Sequence, residues 1–306
     1  MALSLALFSD YRGPPSASPW QPGARQATMI GSSSIFLWAV WPSLAVFASP
    51  TPTFQTLAIG MMVGFLCLAA LRLLRGETLV GMLPGSFGLL VAGVVGILGT
   101  NAFNFMAISR ISPAQASVIA YLWPMMAIVL AGALGLQRLR RRHLVAVGLG
   151  FAGAVLVIDP FGEASFDIVG IGCALLAGLS WAGYTTYRMI DDRGPSDAVG
   201  IYSLVAAIAC LIAHTQLEHT HAMSAVQILA VLGLGLAPMG LANAVWDYGV
   251  SRGDVRTLSI LAYGTPLVAT LLLVALGLAA VTPMLLVGAL LIVAGAAFGT
   301  WPGRSG

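Results

Sequence analysis

From Thr28 onward the chain is a succession of ten apolar stretches, approximately Thr28–Ala48, Thr53–Leu73, Pro84–Ile108, Pro113–Leu136, Leu144–Ile158, Ile168–Met189, Pro195–Ala213, Val226–Val250, Val255–Leu278 and Pro283–Trp301. About 20 apolar residues in helical form cross roughly 30 Å of hydrocarbon. The pattern therefore predicts an all-α polytopic membrane protein with ten transmembrane helices. The fifth stretch is short and borrows residues from "RRH" at one end or "DP" at the other. Pro84, Pro113, Pro195 and Pro283 stand at helix starts, where a missing N–H costs nothing.

Composition agrees: 58% of residues are hydrophobic and 8% charged, whereas soluble domains carry about 25% charged residues. The connections reach about a dozen residues at most, too short for a soluble domain. Residues 1–27 turn Pro/Ser-rich and lack the basic start and apolar centre of a signal peptide, so a disordered cytoplasmic tail is expected. Residues 303–306 are expected to form a second short cytoplasmic tail. Fourteen arginines, no lysine and eleven acids are too dilute for a nucleic-acid surface.

Several functions lack their residues. No Gly-rich phosphate loop with its lysine exists, which excludes a nucleotide-driven pump in this chain. There is no HExxH, and "GLSWAG" does not fit a nucleophile elbow. A single acid within a span cannot make an intramembrane aspartyl protease. No enzyme activity and no cofactor are expected. Cys67, Cys173 and Cys210 lie in apolar stretches, and His214, His219 and His221 share a loop without a clear fourth ligand, so no metal is expected either.

Arginine orients the chain. With ten spans both termini share a side, and thirteen arginines fall on it; only Arg110 falls opposite. By the positive-inside rule that side is the cytoplasm. Asp159, Glu163, Asp167 and Glu218 fall in the outer loops.

The chain also repeats itself. Residues 101–157 align without a gap onto 243–299 at a constant offset of 142, and about 20 of the 57 pairs are identical. Five spans per copy is an odd number, so the second copy enters the membrane upside down. The expected organisation is a first five-helix repeat over 28–160 and an inverted second over 161–302. Inverted repeats are how transporters build two related conformations around one midplane site; the alternative is a relic of gene duplication.

The repeat preserves a stripe. Ser117, Tyr121 and Pro124 are matched by Ser259, Tyr263 and Pro266, spaced to stack on one helix face. Each proline leaves the carbonyl four residues back, Ala120 or Ala262, without its usual partner. In hydrocarbon such a carbonyl must face protein or water. Pro124 and Pro266 are thus candidate hinges, and the carbonyls candidate acceptors for a substrate ammonium.

Asn101 and Asn243 are repeat mates, read either as glue between helices or as substrate contacts. Asp247 lies about a turn from the cytoplasmic end of its span, within reach of an ion pair with Arg252 or Arg256; the alternative is proton coupling. Trp20, Tyr202 and Trp301 fit interfacial belts. Trp38, Trp123 and Trp181 fall near midplane, with Tyr184 one turn after Trp181. Together they suggest an apolar, aromatic cavity, with core packing or lipid contact as the alternative. Gly60 with Gly64, and Gly295 with Gly299, have the spacing for close helix approach. A monomer is expected, with dimerisation through these glycines as the alternative.

The segments "TMIGSSSIFLWAVWPSL", "AISRISPAQASVIAYLWPMMAIVLA", "GLSWAGYTTY" and "NAVWDYGVSRGDV…YGTPLVATLLLVALGL" resemble the drug/metabolite transporter superfamily with EamA-type repeats, and "YLWP" resembles its aromatic amino acid exporter branch of bacterial inner membranes. The resemblance covers nearly everything after residue 27. It implies a ten-helix basket in the inner membrane, both termini cytoplasmic, that exports aromatic or hydrophobic amino acids by alternating access. On matching positions it places Trp38, Tyr121, Trp123, Pro124, Trp181, Tyr184, Trp246, Tyr263 and Pro266 in or beside the pathway. A broader exporter of small amphipathic metabolites or drugs is the alternative, and a channel or scaffold a further one. "GLQRLRRR" departs from the acidic "GE" many members carry after the fourth helix, so loop packing on that face is expected to differ.

Overall fold

A computed structural model describes residues 22–136, 141–158, 167–191, 195–262, 264–280 and 282–300. Among them every regular element is helical. The α-helices are α1 (Pro22–Ala39), α2 (Trp41–Ala48), α3 (Thr53–Leu74), α4 (Phe87–Ile108), α5 (Pro113–Ala120), α6 (Trp123–Ala133) and α7 (Arg141–Ile158). They continue as α8 (Ile168–Ile190), α9 (Val199–Leu217), α10 (Ala225–Leu236), α11 (Ala242–Arg252), α12 (Val255–Ala262), α13 (Thr265–Ala275) and α14 (Pro283–Thr300). A π-helical turn, Ala237–Leu241, carries Pro238 between α10 and α11.

Seven helical segments among the described residues are long and apolar enough to cross a membrane, and three shorter apolar helices, His143–Val157, Thr265–Ala275 and Pro283–Phe298, fall where the fifth, ninth and tenth spans are expected. Large apolar side chains such as Phe87, Phe151, Ile168 and Leu229 stand exposed on the outside, as lipid contact requires. The chain is a polytopic membrane protein.

In hydrocarbon every helix end needs its polar groups satisfied, and the sequence supplies caps. Ser86 accepts from the Leu89 amide at 3.0 Å. Ser112 with Gln115, and Ser224 with Gln227, form capping boxes. Asp167 accepts from the Val169 and Gly170 amides, both at 2.9 Å, and pairs with exposed Arg110 at 3.4 Å. The Gly170 amide foremost, then Val169 and Arg110, hold its carboxyl below the usual carboxylate range.

The start of α3 is capped from a distance. Glu218, just past α9, accepts from the amides of Phe54 at 3.0 Å and Gln55 at 3.1 Å, and from His214 Nδ1 at 2.9 Å. The other ring nitrogen, Nε2, faces the Thr220 hydroxyl at 3.0 Å. Gln55 and the His221 backbone exchange two further bonds. His214 is therefore a buried strut rather than part of a solvated loop. Glu218→Gln removes the charge facing the α3 amides and is expected to cost about 1–2 kcal/mol of stability. Thermal unfolding of detergent-purified protein checks this, and an unchanged midpoint would remove the strut's energetic role.

Several backbone features recur at the 142-residue offset. α5 and α6 are separated by a break in which the Leu122 amide donates to Ile119 O at 3.0 Å; between α12 and α13 the Gly264 amide donates to Leu261 O at 2.8 Å. α6 ends at Gly135, φ 71°, and α13 at Gly277, φ 69°. The same pair of end bonds follows each, Gly135 to Gly132 with Leu136 to Ala131, and Gly277 to Val274 with Leu278 to Leu273. Glycine suits these left-handed positions because it has no Cβ.

The longest packed pairs are α7 with α14, α4 with α8, α3 with α9 and α1 with α11. Two buried apolar clusters result. One is built from α5–α8, α13 and α14, with residues such as Ile119, Ile128, Leu273 and Ile292. The other is built from α2–α4, α9 and α10, with Leu57, Met61, Leu89 and Leu234.

Candidate substrate pathway

Aromatic rings cross the seam between these clusters. Trp123 packs on the first cluster, Trp181 and Tyr184 on the second. Ring centroids step from Trp123 to Trp181 at 6.4 Å, from Trp181 to Tyr184 at 5.6 Å and from Tyr184 to Tyr202 at 5.9 Å. The first and last meet near edge-on, at 82° and 76°, the arrangement the ring quadrupole favours. A second pair, Trp38 and Trp246, joins α1 to α11 at 5.3 Å.

Tyr202 corrects an expectation. It is fully buried instead of lying in an interfacial belt. A Cβ on Gly93 would sit 2.5 Å from the Tyr202 ring, one on Gly96 2.4 Å from Tyr184 Cβ, and one on Gly99 2.6 Å from the Ser180 hydroxyl. The glycines of "GVVGILG", three residues apart on α4, thus seat the aromatic row. That spacing is the mark it leaves in the sequence.

The amides are engaged. Asn101 Nδ2 donates to Ile97 O at 2.9 Å, and its mate Asn243 donates to Met239 O at 2.9 Å, each four residues back. Beyond that bond the mates diverge. Asn101 Oδ1 accepts from Trp41 Nε1 at 3.0 Å, and Trp41 meets Phe105 at 5.1 Å. Asn243 lines a narrow cleft with Arg72, Arg75 and Asp197. Arg72 there pairs with Asp197 and Glu77 and donates to Thr78 O.

Pro124 and Pro266 are buried immediately after the two helix breaks. Each of the carbonyls they release meets protein. Ala262 O accepts the Thr265 hydroxyl at 2.7 Å. Ala120 O lies 2.6 Å from where a Gly178 Cβ would be, so it packs on the α8 backbone. The difference follows from the repeat mates Trp123 and Thr265: only the threonine has a hydroxyl to turn back. Tyr121 meets the same Thr265 side chain, linking the two breaks. Tyr263 and the side chains of Asp247 and Ser259 lie outside the described residues. Arg252, one expected partner of Asp247, lies over the Tyr248 ring at 4.8 Å.

Gly60 and Gly64 face Met239 of the π turn, and Gly295 faces the α7 backbone, so all three serve packing within the chain. Arg188 is the charged residue that sequence reasoning misplaced. Counted among the thirteen arginines of the cytoplasmic side, it is 5% exposed at the end of α8.

The EamA-like transporter family matches residues 27–159 and 168–301, one match in each half. The chain is 33% identical over 278 residues to the aromatic amino acid exporter YddG of Ancylobacter novellus, covering 90% of this chain and 96% of that one. It is 20% identical over 264 residues to the Salmonella typhimurium protein of the same name, covering 81% and 88%. A crystal structure at 32% identity superposes with a TM-score of 0.70, covering 90% of this chain and 97% of the other. Two matches that together span nearly all of the described helices place this chain in the EamA-like transporter family.

Proposed function

We propose that this protein is a secondary transporter that exports aromatic and hydrophobic amino acids across a bacterial inner membrane by alternating access. The observation that carries it is the Trp123–Trp181–Tyr184–Tyr202 row lying across the seam between two separately packed cores. An aromatic side chain finds ring contacts there, and relative motion of the cores opens or closes its path. The relatives that span most of this chain's length are named as aromatic amino acid exporters, which supports the same substrate class.

In this mechanism ten helices form two inverted repeats, 28–160 and 161–302, with both tails cytoplasmic. The recurrence of helix breaks, glycine caps and amide bonds at one offset supports the repeat. So does the packing: exchanging the halves turns the α4–α8 pair into the α11–α1 pair and maps α3–α9 and α7–α14 onto themselves. Pro124 and Pro266 act as hinges. Trp38, Asn101, Tyr121, Trp123, Trp181, Tyr184, Asn243, Trp246 and Tyr263 line or support the pathway, and substrate binding between the halves shifts the balance of inward- and outward-open states. Asp247 either pairs with a cytoplasmic arginine or carries the coupled proton. The working unit is a monomer.

Counterflow in proteoliposomes tests this. Labelled phenylalanine or tryptophan is expected to exchange, saturably and without current, against unlabelled substrate. Saturable uptake of drug-like amphiphiles alone identifies the broader exporter, and current without saturation a channel. If a pH gradient drives uptake, Asp247→Asn is expected to remove that stimulation. Normal driven transport by the variant eliminates the coupling role.

A further inference from the structure

Within the membrane-spanning helices of a greasy bundle, a buried guanidinium needs a reason. Among the described residues Arg188, at the end of α8, and Asp191, just beyond it, are the buried charged side chains other than histidine. A guanidinium withdrawn from water carries a large desolvation cost unless acceptors surround it. Trp181, Tyr184 and Arg188 follow one another at i, i+3 and i+7, a single stripe along α8. The charge stands within electrostatic reach of the Tyr184 and Tyr202 hydroxyls, the last two rings of the row. Asp191 stands within electrostatic range of the same Tyr202 hydroxyl and takes the Ser86 hydroxyl at 2.5 Å. The aromatic row therefore ends near two buried charged side chains instead of on more apolar surface.

The geometry points to Arg188 as the residue that reads the carboxylate of the transported molecule, so that the pathway distinguishes amino acids from amines bearing the same side chain. This rests on the aromatic amino acid reading above. A ring lodged at Trp181 and Tyr184 leaves its carboxylate to be met further along the stripe. Tyr184 and Arg188 are four residues apart, about 6 Å of helix rise, which matches the span from ring to carboxylate in an aromatic amino acid. Guanidinium has five N–H donors in a planar fork, so a substrate carboxylate can be bound while contacts to protein acceptors remain. Seven residues after Trp38 the chain has Ala45 where Arg188 follows Trp181 at the same interval, and Arg252 of α11 is exposed over the Tyr248 ring, so the inferred role belongs to one half.

The experiment compares phenylalanine with phenylalaninamide, and tryptophan with tryptamine, as substrates of wild type, Arg188→Lys and Arg188→Gln in proteoliposomes. Wild type is expected to prefer the acid at least tenfold in kcat/KM. Arg188→Gln raises KM for the acid about tenfold to a hundredfold, the range of a lost charge-assisted hydrogen bond, with little change for the amide or amine; Arg188→Lys recovers part of the preference. A helix-end role alone lowers transport of acid and amine together, which overturns the inference, as does an unchanged preference in the folded variant. Should Arg188→Gln fail to elute as folded protein, Arg188→Gln/Asp191→Asn removes both charges, and the same loss of preference is required of it. Transport of no aromatic amino acid by the wild type overturns the functional reading together with this inference, whereas wild-type transport with preference intact in the variant overturns the inference alone.

Discussion

Leucine in place of Gly153 or Gly288 is expected to leave no folded protein in the membrane extract. α7 and α14 cross at these two residues. A Cβ on Gly153 would stand 2.6 Å from Gly288 O, and one on Gly288 2.5 Å from Gly153 O. The obstruction is backbone on backbone, so no rotamer relieves it and the helices must separate. Overpacking of a side-chain core costs about 1–3 kcal/mol, occasionally more; a forced separation along this pair belongs above that range. Gly148 on the same helix has nothing within 4 Å of its Cβ position, and leucine there is expected to change stability by less than about 0.5 kcal/mol. Size-exclusion profiles and thermal unfolding in detergent check both. Equal stability of Gly153→Leu and Gly148→Leu would mean that α7 and α14 are not packed this way.

Trp123→Ala and Trp181→Ala are each expected to lower kcat/KM for an aromatic amino acid by at least tenfold, equivalent to about 1.4 kcal/mol. Each tryptophan presents about 150–250 Å² of surface, and only the part facing substrate contributes to transport. Their rings touch at 6.4 Å. Removing the second after the first therefore removes less, and the double variant is expected to lose less than the product of the single losses. Phenylalanine at either position retains a ring and most of the activity. Transport within twofold of wild type for both alanine variants would move the pathway away from the seam.

How far the fold was legible depends on the period of the signal. Apolar runs of membrane-spanning length and the prolines after helix breaks are local, and they predicted helices close to those observed. Repetition at offset 142 extended local signals to a relation between distant segments, and Gly135 with Gly277 has the matching backbone that relation requires. Trp123, Trp181 and Tyr184 were legible as a set because Trp and Tyr at midplane need an explanation. Tyr202 and Arg188 were not. Their position near span ends reads as an interfacial ring and a loop cation, and their burial depends on neighbours from other helices. The engaged state of Ala262 O was hidden similarly, since it depends on which rotamer Thr265 adopts.

By itself the sequence determined that the chain lives in a bilayer, that it is helical, and that one half is written in the pattern of the other, because hydrophobic length, capping and repetition are properties of contiguous residues. Which faces meet was decided only in three dimensions. Gly93 and Gly96 create space that Tyr202 and Tyr184 fill from two other helices, and the value of a missing side chain exists only once the neighbour that uses the space is in place. The aromatic row and its terminal charge are products of that packing, because in lipid, close fit between helices selects the arrangement where hydrophobicity alone cannot.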